Sequence, residues 1–283
     1  MNDTRSHTER DVAVGPYTFR VAENGPAAAQ PVIWLHGSGP GVTSLSNWED
    51  ATARLSHYHN VCPDILGFGN STHPDPPPVG MSDWTDLRGE TIVGLMDALG
   101  IAKAHFVGNS MGGAITLNVV KRWPERVGKI VLMGSGGAPF KPGPALNGLV
   151  TYYDAPSTER LRGMLAAFVY DQAALGDRLQ RVAEARLPMT LREDVKRSHL
   201  TTFTSEGARR PGITEEQLAA ITSPTLLLHG REDQMIPVSA SIWLAERIPD
   251  AQLHIFGKTG HWTQIEQADR FTFLVDAFFN GSI

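Results

Sequence analysis

Residues 104–113 read AHFV-GNSMG-G, and this stretch decides the fold. The run 104–107 is short and strand-like, and Gly108-Asn109-Ser110-Met111-Gly112 fits the pattern G-x-S-x-G. Residues 113–123 then form a small, apolar helix stopped by Pro124. Strand, sharp turn and helix are the setting that gives the motif its chemistry; alone, it occurs often by chance. A serine held on such a turn sits in strained backbone, with glycines two residues either side letting neighbouring chain pass without a Cβ clash. The helix behind it points free N–H groups and a positive dipole end at any negative charge developing there. Ser110 is therefore the candidate nucleophile, and the backbone N–H of Met111 a natural donor to an oxyanion.

Working outward, other apolar runs also end in glycine-rich turns. Pro31–Leu35 precedes His36-Gly37-Ser38-Gly39, 129–133 precedes Gly134-Ser135-Gly136-Gly137, 225–228 precedes His229-Gly230, and 253–256 precedes Gly257. Such runs are strands buried on both faces, as in a parallel sheet. Helical periodicity falls between them at 83–99, 238–248 and 268–279. The alternation predicts one α/β domain over 1–283, a mostly parallel, doubly wound sheet whose site lies beyond the carboxyl ends of the strands. No buried strand run appears from about 140 to 210. Helix-like pieces at 157–169, 173–187 and 191–204 stand there instead, and predict a helical lid inserted between core segments 11–139 and 211–283.

A serine hydroxyl needs a general base, and histidine has the suitable pKa. Of ten histidines, His261 lies in Gly260-His261-Trp262, past the last strand and before the last helix. His254 lies inside a strand and His229 ends one, where packing roles are expected. An acid should follow the preceding strand, and Gly230-Arg231-Glu232-Asp233 does so. Asp233 is the choice, with Glu232 its adjacent rival, and it should accept a hydrogen bond from His261. Asp64 is expected to shape the turn after 59–62 instead. The chain order Ser, Asp, His is that of the α/β-hydrolases rather than of trypsin-like or subtilisin-like proteins. The first glycine-rich turn lacks the spacing of a phosphate-binding loop, so the N–H of Ser38 is expected to be the second oxyanion donor.

Composition narrows the partners. At 283 residues the chain can bury a sizeable core, and a net charge of −5 argues against nucleic acid. Cys62 is the single cysteine, so neither an internal disulfide nor a cysteine metal site is expected. No apolar run approaches a membrane span, and 1–10 are polar with no signal core. The expectation is a cytoplasmic chain with a frayed tail of roughly ten residues.

Taken together, H-G-S-G-P-G-V-T at 36–43 with Ser46-Asn47-Trp48, G-N-S-M-G-G at 108–113, Gly230-Arg231-Glu232-Asp233 and Gly260-His261-Trp262 resemble the meta-cleavage product hydrolases of bacterial aromatic degradation. The resemblance runs over the whole chain and is weakest in the lid. It implies a serine-dependent carbon–carbon bond hydrolase, acting on a 2-hydroxy-6-oxohexa-2,4-dienoate made by ring cleavage of a catechol. The products would be 2-hydroxypenta-2,4-dienoate and a carboxylic acid. It implies no metal or organic cofactor, and a homo-oligomer. It also implies that Gly37, Asn47, Asn109 and Trp262 line the dienoate end, and that a lid arginine pairs the substrate carboxylate. Arg186 is the first candidate for that arginine and Arg181 the second. Leu149, Leu165, Phe168, Val169, Met235 and Ile236 would form an apolar wall suited to an aryl group. A carboxylesterase or lactonase using the same triad is the alternative.

Overall fold

A computed structural model describes residues 6–206 and 212–283. Eight strands form one sheet: β1 (Thr8–Val14), β2 (Tyr17–Asn24), β3 (Pro31–Leu35), β4 (His59–Pro63), β5 (Ala104–Asn109), β6 (Val127–Met133), β7 (Thr225–Gly230) and β8 (Ala251–Phe256). Their order is β1-β2-β4-β3-β5-β6-β7-β8. The pairings from β4 through β8 are parallel, whereas β1 with β2 and β2 with β4 are antiparallel.

The apolar runs are buried on both faces for a simple reason. Side chains alternate along a strand. In β3, Ile33 and Leu35 enter one core cluster, while Val32 and Trp34 enter the other. The same division splits Ile130 and Leu132 from Val131 and Met133 in β6. The second cluster is closed by α1 (Ser44–Arg54) through Trp48 and, after the short α10 (Thr263–Glu266), by α11 (Ala268–Asn280) through Phe271, Val275 and Phe278. The first is closed by α2 (Met81–Ala98), α3 (Met111–Arg122) and α9 (Val238–Ala245).

Between β6 and β7 the chain makes α4 (Pro144–Val150), α5 (Thr158–Ala166), α6 (Arg178–Thr190), α7 (Glu193–Phe203) and α8 (Glu215–Ala219). This is the helical lid expected from the sequence, with α4 and α8 added; its expected last residues, 207–210, lie outside the described residues. One expectation fails: the frayed tail is too long, because β1 already begins at Thr8 and pairs Thr8 with Glu23. An edge strand with one wet face carries a weak apolar signal, which hid it.

Glu23 at the end of β2 accepts from Arg10 at 2.6 Å and lies 3.1 Å from His59 Nε2. Burial alone would raise its carboxyl, but these partners outweigh that and hold it down at about 2. A carboxyl with a depressed folded pKa adds stability above its unfolded value, and loses it as pH falls through the folded one. Glu23→Gln is therefore expected to flatten the pH dependence of urea-unfolding stability between about 4.5 and 2. An unchanged acid limb would refute this.

Candidate active site

Ser110 adopts φ 54°, ψ −115°, a region that L-residues with a side chain rarely occupy. The strain is held by backbone bonds on both sides. Ser110 N–H donates to Met133 O at 3.0 Å, and Ser110 O accepts from Gly113, Ala114 and Gly136. Gly112 makes the turn possible, since a Cβ there would lie 2.2 Å from Leu35 O. Among the described residues the Ser110 hydroxyl has no hydrogen-bond partner; contacts of this kind tighten when substrate binds.

His261 follows β8 and is buried, with Nδ1 2.7 Å from Asp233 Oδ2. Both lie at the carboxyl end of β6, the strand beside β5 and its elbow: a Cβ on Gly134 would lie 3.0 Å from His261 Nδ1 and 3.2 Å from Asp233 Oδ2. Asp233 Oδ1 accepts from the N–H groups of Met235 and Ile236 at 2.8 and 3.0 Å. Burial alone would raise the Asp233 carboxyl. The charge of His261, with hydrogen bonds from His229 and His261, holds it well below the usual carboxylate range. The rival Glu232 faces elsewhere, accepting from Thr259 N–H at 2.9 Å and pairing with Arg231. Asp64 accepts from Ser44 and Asn70 N–H and so braces its turn, as expected.

The N–H groups of Ser38 and Met111 donate to no protein acceptor among the described residues, leaving them open to an incoming oxygen. The turn that carries Ser38 is pinned by His36, which is fully buried. Burial, outweighing its bond to Gly37, lowers His36 to about 3, so the ring is neutral. Its Nδ1 donates to Gly37 O at 2.8 Å and its Nε2 accepts from Ile65 N–H at 3.0 Å. Behind Met111 lies Arg88, fully buried, with Nη1 3.3 Å from the Met111 sulfur and the guanidinium over the Trp84 ring.

The expected binding residues divide. Asn47 and Arg186 both border a cavity of 210 Å³ between α1 and α6. Asn47 Nδ2 and Arg186 Nε are buried without a partner. Burial lowers Arg186 to about 10, so it stays charged at neutral pH. Its Nη2 donates to Ser46 Oγ at 3.1 Å, and its Cζ lies 5.7 Å from the Trp262 ring centre. Arg181 does not border that cavity. It points outward, its side chain 63% exposed, and pairs with Asp177. Five residues along a helix turn a side chain by about 140°, which puts Arg181 away from Arg186. Asn109 is partly committed to structure: Nδ2 donates to Met133 O at 3.1 Å, and Oδ1 is what a Cβ on Gly37 would strike at 2.6 Å. Leu149, Leu165, Phe168, Val169, Met235 and Ile236 are buried in one cluster with Trp262, and Phe168 lies edge-on to both His261 and Trp262.

Sequence reasoning missed His229 and Arg88. A strand-end histidine and a helix arginine carry no sequence signal for burial beside a site. Neither the 210 Å³ cavity nor a larger one of 670 Å³ between α2, α3 and residues 212–215 is lined by Ser110, Asp233 or His261.

Elbow, acid–base pair and strand order define a serine hydrolase of the α/β type. The family model for the alpha/beta hydrolase fold matches residues 30–268. The chain is 41% identical to 2-hydroxymuconate semialdehyde hydrolase of Pseudomonas sp. strain CF600, over 89% of this chain and 87% of that protein. Among solved structures it is similar to the 2-hydroxy-6-oxo-6-phenylhexa-2,4-dienoate hydrolase of Rhodococcus sp. strain RHA1, at TM-score 0.92 and 32% identity over 97% and 99% of the two chains. It is also similar to the meta-cleavage product hydrolase CumD of Pseudomonas fluorescens IP01, at TM-score 0.88 and 37% identity over 97% and 98%. The chain belongs to the α/β-hydrolase family and, within it, to the meta-cleavage product hydrolases.

Proposed function

We propose that the protein hydrolyses the C5–C6 bond of a 2-hydroxy-6-oxohexa-2,4-dienoate, with Ser110 as nucleophile, His261 as base and Asp233 as the acid that orients it. The observation that carries this reading is the buried, charged Arg186, whose Nε, like Asn47 Nδ2, is buried without a hydrogen-bond partner and which has no carboxylate partner among the described residues. A buried guanidinium without a counter-ion is costly, and a substrate carboxylate would supply one. A simple ester makes no such demand, so the esterase or lactonase reading leaves Arg186 unexplained. In this reading the carboxylate binds there, Trp262 flanks the dienoate, and the C6 ketone is left for Ser110 and the N–H groups of Ser38 and Met111.

The steps follow from these groups. The enol first becomes the keto form, gaining a proton at C5. Ser110 Oγ attacks C6 as His261 takes its proton, and the oxygen of C6 becomes an oxyanion on Ser38 and Met111 N–H. C5–C6 then breaks, its electron pair leaving with the dienolate, which takes the proton held by His261 to give 2-hydroxypenta-2,4-dienoate and frees the base. Water, deprotonated by His261, releases the acid from Ser110. The apolar wall of Leu149, Leu165, Phe168, Val169, Met235 and Ile236 suits a hydrocarbon substituent on C6, an aryl group included.

Arg186→Ala tests the reading. It is expected to raise KM and to cost about 2–4 kcal/mol in kcat/KM toward a dienoate. Hydrolysis of an uncharged p-nitrophenyl ester should hardly change, and Arg181→Ala should be near neutral. Equal losses toward both substrates would sink the carboxylate assignment. A panel of ring-cleavage products differing at C6, followed by loss of visible absorbance, then ranks the substituents.

A further inference from the structure

The carboxylate of Asp233 is approached from two sides. His261 Nδ1 lies 2.7 Å from Oδ2, and His229 Nε2 lies 3.3 Å from the same oxygen. His229 ends β7, is fully buried, and has no part in the mechanism above. Its own ring is fixed at both nitrogens. Nε2 lies 3.0 Å from Ile236 O, and Nδ1 lies 2.7 Å from Ser241 Oγ on α9. A carbonyl only accepts, so Nε2 carries a proton. In the neutral ring Nδ1 is then the acceptor, and the Ser241 hydroxyl donates to it. The tautomer follows from the partners alone. The Nε2–H is thus directed at Ile236 O, with Asp233 Oδ2 at 3.3 Å beside it.

We propose that His229 is a positioning residue, braced by Ser241, which holds the Asp233 carboxylate in the plane where Oδ2 meets His261 Nδ1. This rests on the reading of Asp233 as the acid of the triad. The geometry explains why a second donor is useful. The terminal torsion of an aspartate is broad, with no staggered well to fix the plane of its oxygens. Met235 and Ile236 N–H pin Oδ1. Without His229, Oδ2 would be aimed only by His261, the group it is meant to orient. A donor from rigid β7 breaks that circularity. The resulting chain of contacts, Ser241 to His229 to Asp233 to His261, reaches the base from the buried side.

A double-mutant cycle on the full chain decides the matter. His229→Leu removes the donor. It is expected to lower kcat on the order of tenfold to a hundredfold with KM little changed, the usual cost of losing a group that orients a catalytic ligand. His229→Gln places an amide N–H where Nε2 was and should restore most of kcat. In an Asp233→Asn background, His229→Leu should cost less than about twofold in single-turnover rate, because nothing is left to orient. Ser241→Ala, a milder change, should give a smaller loss that also vanishes in that background; it carries the test if His229→Leu does not fold. An equal loss in both backgrounds, or no rescue by glutamine in a folded protein, overturns the proposal. If Asp233→Asn alone leaves kcat unchanged, the triad reading itself has failed.

Discussion

Ser110→Ala should lower kcat toward a yellow dienoate by about 10⁴-fold or more while the variant still binds it. The lost atom is the one that attacks. The residual rate is what oxyanion donors and binding groups supply alone. Alanine keeps the Cβ of serine, so the elbow at φ 54° is neither more nor less strained, and the bonds from Met133, Gly113, Ala114 and Gly136 stay in place. Folding stability should therefore hardly move, and the kinetic loss can be assigned to chemistry. Binding survives because Arg186 and Asn47 are untouched. Stopped-flow absorbance at saturating substrate measures the rate, and spectral titration of the variant measures the affinity. An unaltered rate would remove Ser110 from the mechanism.

Asp233→Asn should cripple turnover almost as severely, by about 10⁴-fold, for a reason that is geometric rather than a matter of size. Oδ1 faces two backbone donors, Met235 and Ile236 N–H, so an asparagine must put its carbonyl oxygen there. Its NH₂ group is then turned toward His261 Nδ1. That nitrogen can only accept, which moves the ring proton to Nε2, where a proton must instead be received from Ser110. Glu232→Gln, by contrast, disturbs a contact with Thr259 N–H and Arg231, and should leave kcat within about twofold of the parent, as is usual for surface changes away from such features. Steady-state kinetics on both variants separates them. A loss confined to Glu232→Gln would show that its neighbour is not the acid.

These two carboxylates also show where sequence reading stops. Asp233 and Glu232 are adjacent and chemically alike. What separates them is which one the turn after β7 points at His261, and that is set by backbone N–H groups two and three residues on. The parallel strands were legible because burial on both faces writes itself as a continuous apolar run, as in Pro31–Leu35. The antiparallel β1 was not, with a single buried residue, Val12, in its length. Helix α1 was missed as well. Its start is a capping box between Thr43 and Ser46, with serine in place of the usual Glu or Gln. That cap sets the first turn bearing Asn47, which was expected at the site only through the resemblance. For the lid arginines, sequence gave spacing but not which face of α6 turns inward. His229 looked like a packing residue because its two partners, Ser241 and Asp233, come from an adjoining helix and turn.

The route of the chain between β6 and β7 carries a wider consequence. The two strands are neighbours in the sheet, and the passage from the carboxyl end of one to the amino end of the next needs a single crossover helix. Helix α8, just before β7, already occupies that place in the chain. Helices α4 to α7 are surplus to the sheet's connectivity. Ser110, Asp233 and His261 all hang from other connections. The molecule therefore keeps its reactive apparatus and most of its choice of substrate on separate stretches of one polypeptide. A new assortment of α4–α7 that keeps an arginine at the place of Arg186 in α6 is expected to redirect the enzyme to a different ring-cleavage product while the hydrolytic centre is passed on intact.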